Sequence, residues 1–245
     1  GAIAREVKDV RLATQVMAQS DPRDPWWAPV PFLGPKPDGP IRVAFTKAAH
    51  GYPIHPEILA HLDLAQAALT AAGYEVEEVP VPSITPAAKA WFDVALLEIK
   101  EGLDPLAREH GSQTIQNIFD YYYQMSDTVD YKGYMKGVGD RSGIIRPWNV
   151  FLQDYPLVLT PFLMRSTYDY DHDETFEGSK DLFDSAIYSY GINYMGLPAG
   201  VVPTGLIEDR PSAVQIVGQR FREDLILDAL EVIEAAVGVL SPRLW

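Results

Sequence analysis

The chain has 245 residues with 34 acidic and 20 basic side chains, a net charge of −14 that leaves no clustered cations for phosphate and argues against a nucleic-acid partner. Hydrophobic residues make up 47%, ample for a sizeable core, and the absence of cysteine excludes disulfides, thiolate nucleophiles and cysteine-ligated zinc. No apolar run reaches the length of a membrane span and the opening residues carry no signal-peptide pattern, so a soluble, cytoplasmic protein is expected.

Residues 6–19 read best as a helix. Residues 21–40, rich in Pro and Asp, read as an irregular surface connection whose Trp26 and Trp27 pack the loop onto the body in preference to lining a pocket. Residues 41–46 are a strand candidate. Residues 56–72 follow as an alanine-rich helix, with Pro56 in its first turn and Gly73 past its end. Residues 74–79 alternate as a second strand, which completes a βαβ unit with a right-handed crossover. His50, His55 and His61 lie close in sequence, but a complete ligand set does not accompany them and a metal site is not expected.

Residues 82–155 change character. Helices are expected near 86–101, 112–125 and 131–155, with breaks at 102–105 and 126–130 and Thr85 as an N-cap. Aromatic residues are dense here, among them Trp91, Phe92, Phe119, Tyr121, Tyr122, Tyr123 and Tyr134. Successive tyrosines on a helix point about 100° apart, so the three cannot share one core. Packing or a partner interface accounts for any single one; the cluster as a whole suggests an aromatic-lined mouth.

Three short Val/Ile/Leu-rich runs at 157–160, 199–204 and 213–217 have the length of buried strands. A helix over 225–237 ends the pattern, with Glu223 and Asp224 in its first turn. Between the first two runs, residues 167–184 hold Asp169, Asp171, His172, Asp173 and Glu174. They lack the glycine and terminal glutamate of an EF-hand, and His172 has no nucleophile partner, so a solvated acidic loop is expected. Residues 184–195 then form a helix on which Phe183, Ile187, Tyr190 and Tyr194 share a face. Asn193 is read as tying loop backbone, Gly196 and Gly200 as giving positive φ or close approach, and Gln215 as needing internal partners. The order of elements indicates an α/β layer fold with strands covered on both faces.

The segments LTP (159–161), NYMGLPAGVVPTG (193–205) and VQIVGQRFRED (214–224), together with the opening GAIAR and the DPRDP turn at 21–25, resemble the C-terminal half of the amidase signature hydrolases. The matching positions include Asn193, Gly196, Pro198, Gln215 and Gly218, which the resemblance marks as structural motif residues. It implies an α/β/α fold with a mixed central sheet, residues 1–245 being the C-terminal portion of one amidase domain and 82–155 a helical insertion in it. The family's nucleophilic Ser, cis Ser and Lys lie N-terminal to a GAIAR-like segment, and no Gly/Ser-rich loop occurs here. Ser126, Ser142, Ser166 and Ser179 lack glycine-rich surroundings, so the chain is expected to hold no catalytic residue. The chain opens without Met, as a cut, processed or partial chain would.

The resemblance further implies hydrolysis of a carboxamide through an acyl-enzyme, without cofactor or metal, once an N-terminal half on the same or a separate chain completes the enzyme. Phe183, Ile187, Tyr190, Tyr123 and Trp91 are the substrate-pocket candidates, and the aromatic density favours a bulky or aryl amide. Nucleic acid and membrane are not expected partners; a homo-oligomer is compatible. Two other readings remain: a non-catalytic binding protein that kept only the scaffold half, and the glutamine-hydrolysing component of a tRNA-dependent amidotransferase.

Overall fold

A computed structural model describes residues 1–126 and 129–240. Five strands form one mixed sheet: β1 (Arg42–Phe45), β2 (Glu75–Glu78), β3 (Leu157–Pro161), β4 (Ala199–Ile207) and β5 (Arg210–Gly218), in the order β2-β1-β3-β5-β4. β1 runs parallel to β2 and β3, with Val43 opposite Val76 and Leu157. β5 runs antiparallel to β3 and β4, with Val214 opposite Pro161 and Val202. Every residue of β3 is buried, as the continuous apolar run LVLTP requires of a strand covered on both faces.

Alternation along the strands divides the core in two. Val43, Phe45, Leu157, Leu159, Val214 and Ile216 point to α2 (Pro56–Ala71) and α9 (Glu223–Val237). On α2, Ile58, Leu62, Ala65 and Leu69 recur at helical spacing and are all buried. Ala44, Val158 and Val217 point the other way, to α3 (Thr85–Glu98), α6 (Tyr131–Asp154) and α8 (Ile187–Met195). α1 (Val7–Met17) lies outside α9, held by Arg11 on Asp228 (2.6 Å) and Glu231 (2.7 Å). The expected layers, the βαβ unit and the long helix ending at residue 154 are all present.

Several local expectations are corrected. Thr85 is the first helical residue, not the cap: its N–H donates to Ser83 Oγ at 3.3 Å. The chain does not break at 102–105; a π turn (Ile99–Leu103) feeds directly into α4 (Asp104–His110), because Pro105 occupies a first-turn position where its missing N–H costs nothing. α5 (Gln113–Gln124) begins at the Ser112 cap. Of the break expected at 126–130, residues 127 and 128 lie outside the described residues, and Asp130 caps α6 through Gly133 N–H at 2.8 Å. The acidic stretch is not all loop, since it holds α7 (Phe176–Ser185), capped by Thr175. α7 and α8 are separate, with Ala186 at φ −104° between them, so Phe183 and Tyr190 sit on different helices. Trp26 is 89% exposed and does not pack its loop down; Trp27 donates its indole N–H to Ala18 O at 3.1 Å.

Gly200 lets β4 approach α9. A Cβ there would stand 2.4 Å from Leu230 Cδ1 and 3.0 Å from Ile226 Cγ2. G200V should therefore cost about 1–3 kcal/mol through overpacking. Urea unfolding of the variant measures this, and an unchanged midpoint would show that the two layers are not in contact here.

Candidate functional site

Four helices converge on one aromatic wall. α3 contributes Trp91 and Phe92, α5 Tyr122, α7 Phe183 and α8 Tyr190. Phe183 is the hub, with ring centroids 4.9 Å from Phe92, 5.0 Å from Tyr122, and 5.7 Å from both Trp91 and Tyr190. Most pairs meet edge-on or tilted, the arrangement favoured by the ring quadrupole. Burial raises the Tyr190 hydroxyl well above its ordinary pKa, helped by Asp184, so it stays neutral in this wall.

Of the residues singled out in the sequence, Trp91, Phe183 and Tyr190 meet here, ring against ring. Ile187 is buried beneath them in the core shared by α3, α6 and α8. Tyr123 does not join them. It faces Lys100, whose Nζ lies 5.9 Å from its ring, and its hydroxyl is pushed up to about 12 by burial first and by Asp104 second. Phe92 and Tyr122 complete the wall although their helical phase alone did not single them out; the contact that recruits both is Phe183, which lies on α7 and not on the helix whose face it was expected to share.

The opposite side of α7 is polar. Asp181 accepts hydrogen bonds from Tyr52 Oη (2.9 Å), from His172 Nε2 (2.9 Å) and from Arg165. Tyr168 stacks on His172 with centroids 5.1 Å apart and donates to Leu182 O at 3.0 Å. The network joins the loop after β1, the loop after β3 and α7, which residue spacing could not reveal. His172 is thus fixed in place and Asp169 pairs with Arg210, while Tyr170 is 94% exposed and Asp169, Asp171 and Glu174 are exposed beside it.

The three histidines diverge. His50 Nε2 lies 3.1 Å from Tyr188 Oη, which donates to Ala48 O at 3.0 Å. His55 Nδ1 caps α2 by accepting from Glu57 N–H. His61 Nδ1 lies 3.0 Å from Ser212 Oγ, a base–hydroxyl pair that no spacing in the chain announces, but Ser212 is 5% exposed within β5, closed to a substrate carbonyl. Among the described residues no three His, Asp or Glu side chains converge as a metal site.

The motif residues shape the turn after α8 and the strands behind it. Gly196 takes φ +64°, and its N–H donates to Ile192 O and Asn193 O at 3.1 and 3.0 Å. Asn193 closes this turn with its backbone carbonyl, and its side chain is exposed, contrary to the expectation that the amide ties the loop. Pro198 O accepts from Gly218 N–H at 3.0 Å. Gln215 is buried, and its Nε2 donates to Thr160 Oγ1 at 3.2 Å across β3 and β5.

A family profile described as Amidase matches residues 1–227. An indoleacetamide hydrolase of Bradyrhizobium diazoefficiens is 40% identical over 248 residues, covering 100% of this chain and 47% of that protein. A glutamyl-tRNA(Gln) amidotransferase component of Lacticaseibacillus casei is 26% identical, covering 96% of this chain and 54% of its own length. The solved structure of a 6-aminohexanoate cyclic dimer hydrolase complexed with substrate superposes with a TM-score of 0.73 at 23% identity, over 96% of this chain and 54% of that one; at this identity the likeness speaks for the fold alone. The chain spans about half the length of the curated relatives it matches.

Burial pushes the Asp181 carboxyl up, but its hydrogen bonds from Tyr52 and His172 and the Arg165 charge outweigh this and hold it below the ordinary 3.8. A depressed carboxyl stabilises the fold fully above the unfolded value and loses that contribution as pH falls below it. D181N should therefore destabilise the chain by about 2 kcal/mol at pH 6, with the gap to wild type narrowing at pH 3. Urea unfolding at the two pH values tests this, and a gap that widens in acid would refute it.

Proposed function

The chain belongs to the amidase family, and from that premise we propose that it forms part of an enzyme hydrolysing an aromatic carboxamide to its carboxylic acid and ammonia. The observation that carries the substrate class is the wall of Trp91, Phe92, Tyr122, Phe183 and Tyr190. A surface of this kind binds an aryl acyl group by area and edge-to-face contact and offers nothing to a small polar one. The 40% identity to a protein named indoleacetamide hydrolase supports the same class.

In this reading a Gly/Ser-rich half, on the same or another polypeptide, supplies the catalytic Ser, cis Ser and Lys. The nucleophilic Ser Oγ adds to the amide carbon, its proton passing through the second Ser toward the neutral Lys. Backbone N–H groups hold the oxyanion, ammonia leaves with the relayed proton, and water then cleaves the acyl ester to release the acid. The present chain contributes half the central sheet and the acyl-side wall, with residues 82–155 as a helical insertion carrying much of that wall. By itself it is inactive. An amidotransferase role fits less well, because the five side chains of the wall are all aromatic and none of them pairs the ammonium or carboxylate of glutamine.

Ammonia release from indole-3-acetamide, phenylacetamide and glutamine should be measured with the chain alone and joined to a Gly/Ser-rich half. The expected outcome is no turnover by the chain alone, and a kcat/KM for the aryl amides at least about ten-fold above that for glutamine in the completed enzyme. Glutamine preference, or turnover by the 245 residues alone, would overturn the reading. In the completed enzyme F183L should raise KM about ten-fold with kcat little changed, the signature of lost uniform binding.

A further inference from the structure

A second face of Trp91 opens on a cleft of about 320 Å³ between α3, α6 and the end of α8. Its aromatic lining is Trp91, Tyr134 and Tyr194. Its polar lining is Arg141 and Asn193 at one end and Glu98 at the other. The two helices cross antiparallel: Tyr134 Oη donates to Glu98 Oε1 at 3.3 Å, while Gly137 lies against Ala90 and Val94. Trp91 and Glu98 are therefore two helical turns apart, about 10 Å, and the one acid of the cleft is already engaged away from Arg141.

At the Arg141 end two cations converge. Arg141 Nη2 and Arg220 Nη2 both lie within 4.0 Å of the point that a Cβ on Gly196 would occupy. Arg220 reaches Met195 O at 3.4 Å and so serves the C-terminal carbonyls of α8. Arg141 rests over the Tyr194 ring at 5.8 Å. Among the described residues neither guanidinium has an acidic partner, in a chain with 34 acids to 20 bases. One cation is enough to complete a helix end; both arginines are exposed, and a second guanidinium beside the first adds a screened repulsion that a bound anion would turn into attraction. Gly196 keeps the space between them empty of side chain, and the exposed Asn193 amide adds a neutral donor beside it.

We propose that this cleft is a binding site for an aromatic carboxylate, its ring between Trp91 and Tyr134 and its carboxylate on Arg141, with Arg220 and Asn193 as further donors. Guanidinium pairs carboxylate through two parallel N–H···O bonds, which an amide cannot reproduce. If the chain serves an aryl amidase, as proposed above, the ligand is the class of acid that the reaction releases, and Trp91 is shared by the acyl wall and the product-acid site.

The test is a titration of the 245-residue chain with indole-3-acetate and, separately, indole-3-acetamide, followed by calorimetry. The acid should bind at least about ten-fold more tightly than the amide, and R141Q should weaken the acid about ten-fold or more while leaving the amide unchanged. R220Q should weaken it less, and R141K should restore part of the affinity; far-ultraviolet dichroism checks that each variant is folded. Equal affinity for acid and amide, no saturable binding, or acid binding indifferent to R141Q would each overturn the proposal. Turnover is not needed, so a failed site leaves the amidase reading standing, and an inactive completed enzyme leaves the site standing.

Discussion

The structure depends on one short strand. β3 is buried along its whole length and paired on both edges, parallel to β1 and antiparallel to β5. With no water reaching its backbone, each N–H and C=O must be matched by a neighbouring strand, and its side chains must fill two cores at once. Leu157 and Leu159 join the α2–α9 layer, and Val158 joins the α3–α6–α8 layer. Thr160, the one polar residue inside the run, is tolerated because it accepts from Gln215 and donates to the Pro161 carbonyl. The chain emerging from β3 then supplies Arg165, Tyr168 and His172, so the site is hung directly on the most constrained part of the sheet.

α7 translates that constraint into a surface. Its Phe183 side meets four other rings, and its Asp181 side is fastened to Tyr52, Arg165 and His172. A short helix buried on one side by dispersion and pinned on the other by a charged network has one orientation available to it. The aromatic wall is thereby preorganised, which lowers the entropic cost of holding its rings in place for any ligand.

The strands, the βαβ unit, α2, α6 and α9 were legible because period, Gly and Pro carry local information about each. The wall was legible only in part. Trp91, Phe183 and Tyr190 share no helix, and their meeting depends on how α3, α7 and α8 pack across the sheet. Tyr123 was misplaced for the same reason: a residue's phase fixes its direction from its own axis, not what stands there. The Asp181 network was invisible, since its members span residues 52 to 181 and only the return of the chain past β1 unites them. The π turn at Ile99–Leu103 escaped because Gly102 and Pro105 signal a stop, and the chain uses them to change pitch instead.

That π turn has a consequence for how this helix can change over evolutionary time. A π turn carries one residue more than the α-helical path it replaces, so it lets the chain take up a one-residue insertion while the helical direction continues into α4. Because the wide turn absorbs the extra residue, everything downstream keeps close to the phase it would have on the shorter path. Arg108 therefore keeps its reach to Asp120 on α5 at 2.6 Å. Since α5 carries Tyr122 to Phe183, a one-residue length change absorbed at this turn leaves that ring in the wall. Length variation of one residue at this turn is thus a change that relatives could carry while the aromatic cluster beyond it stays assembled.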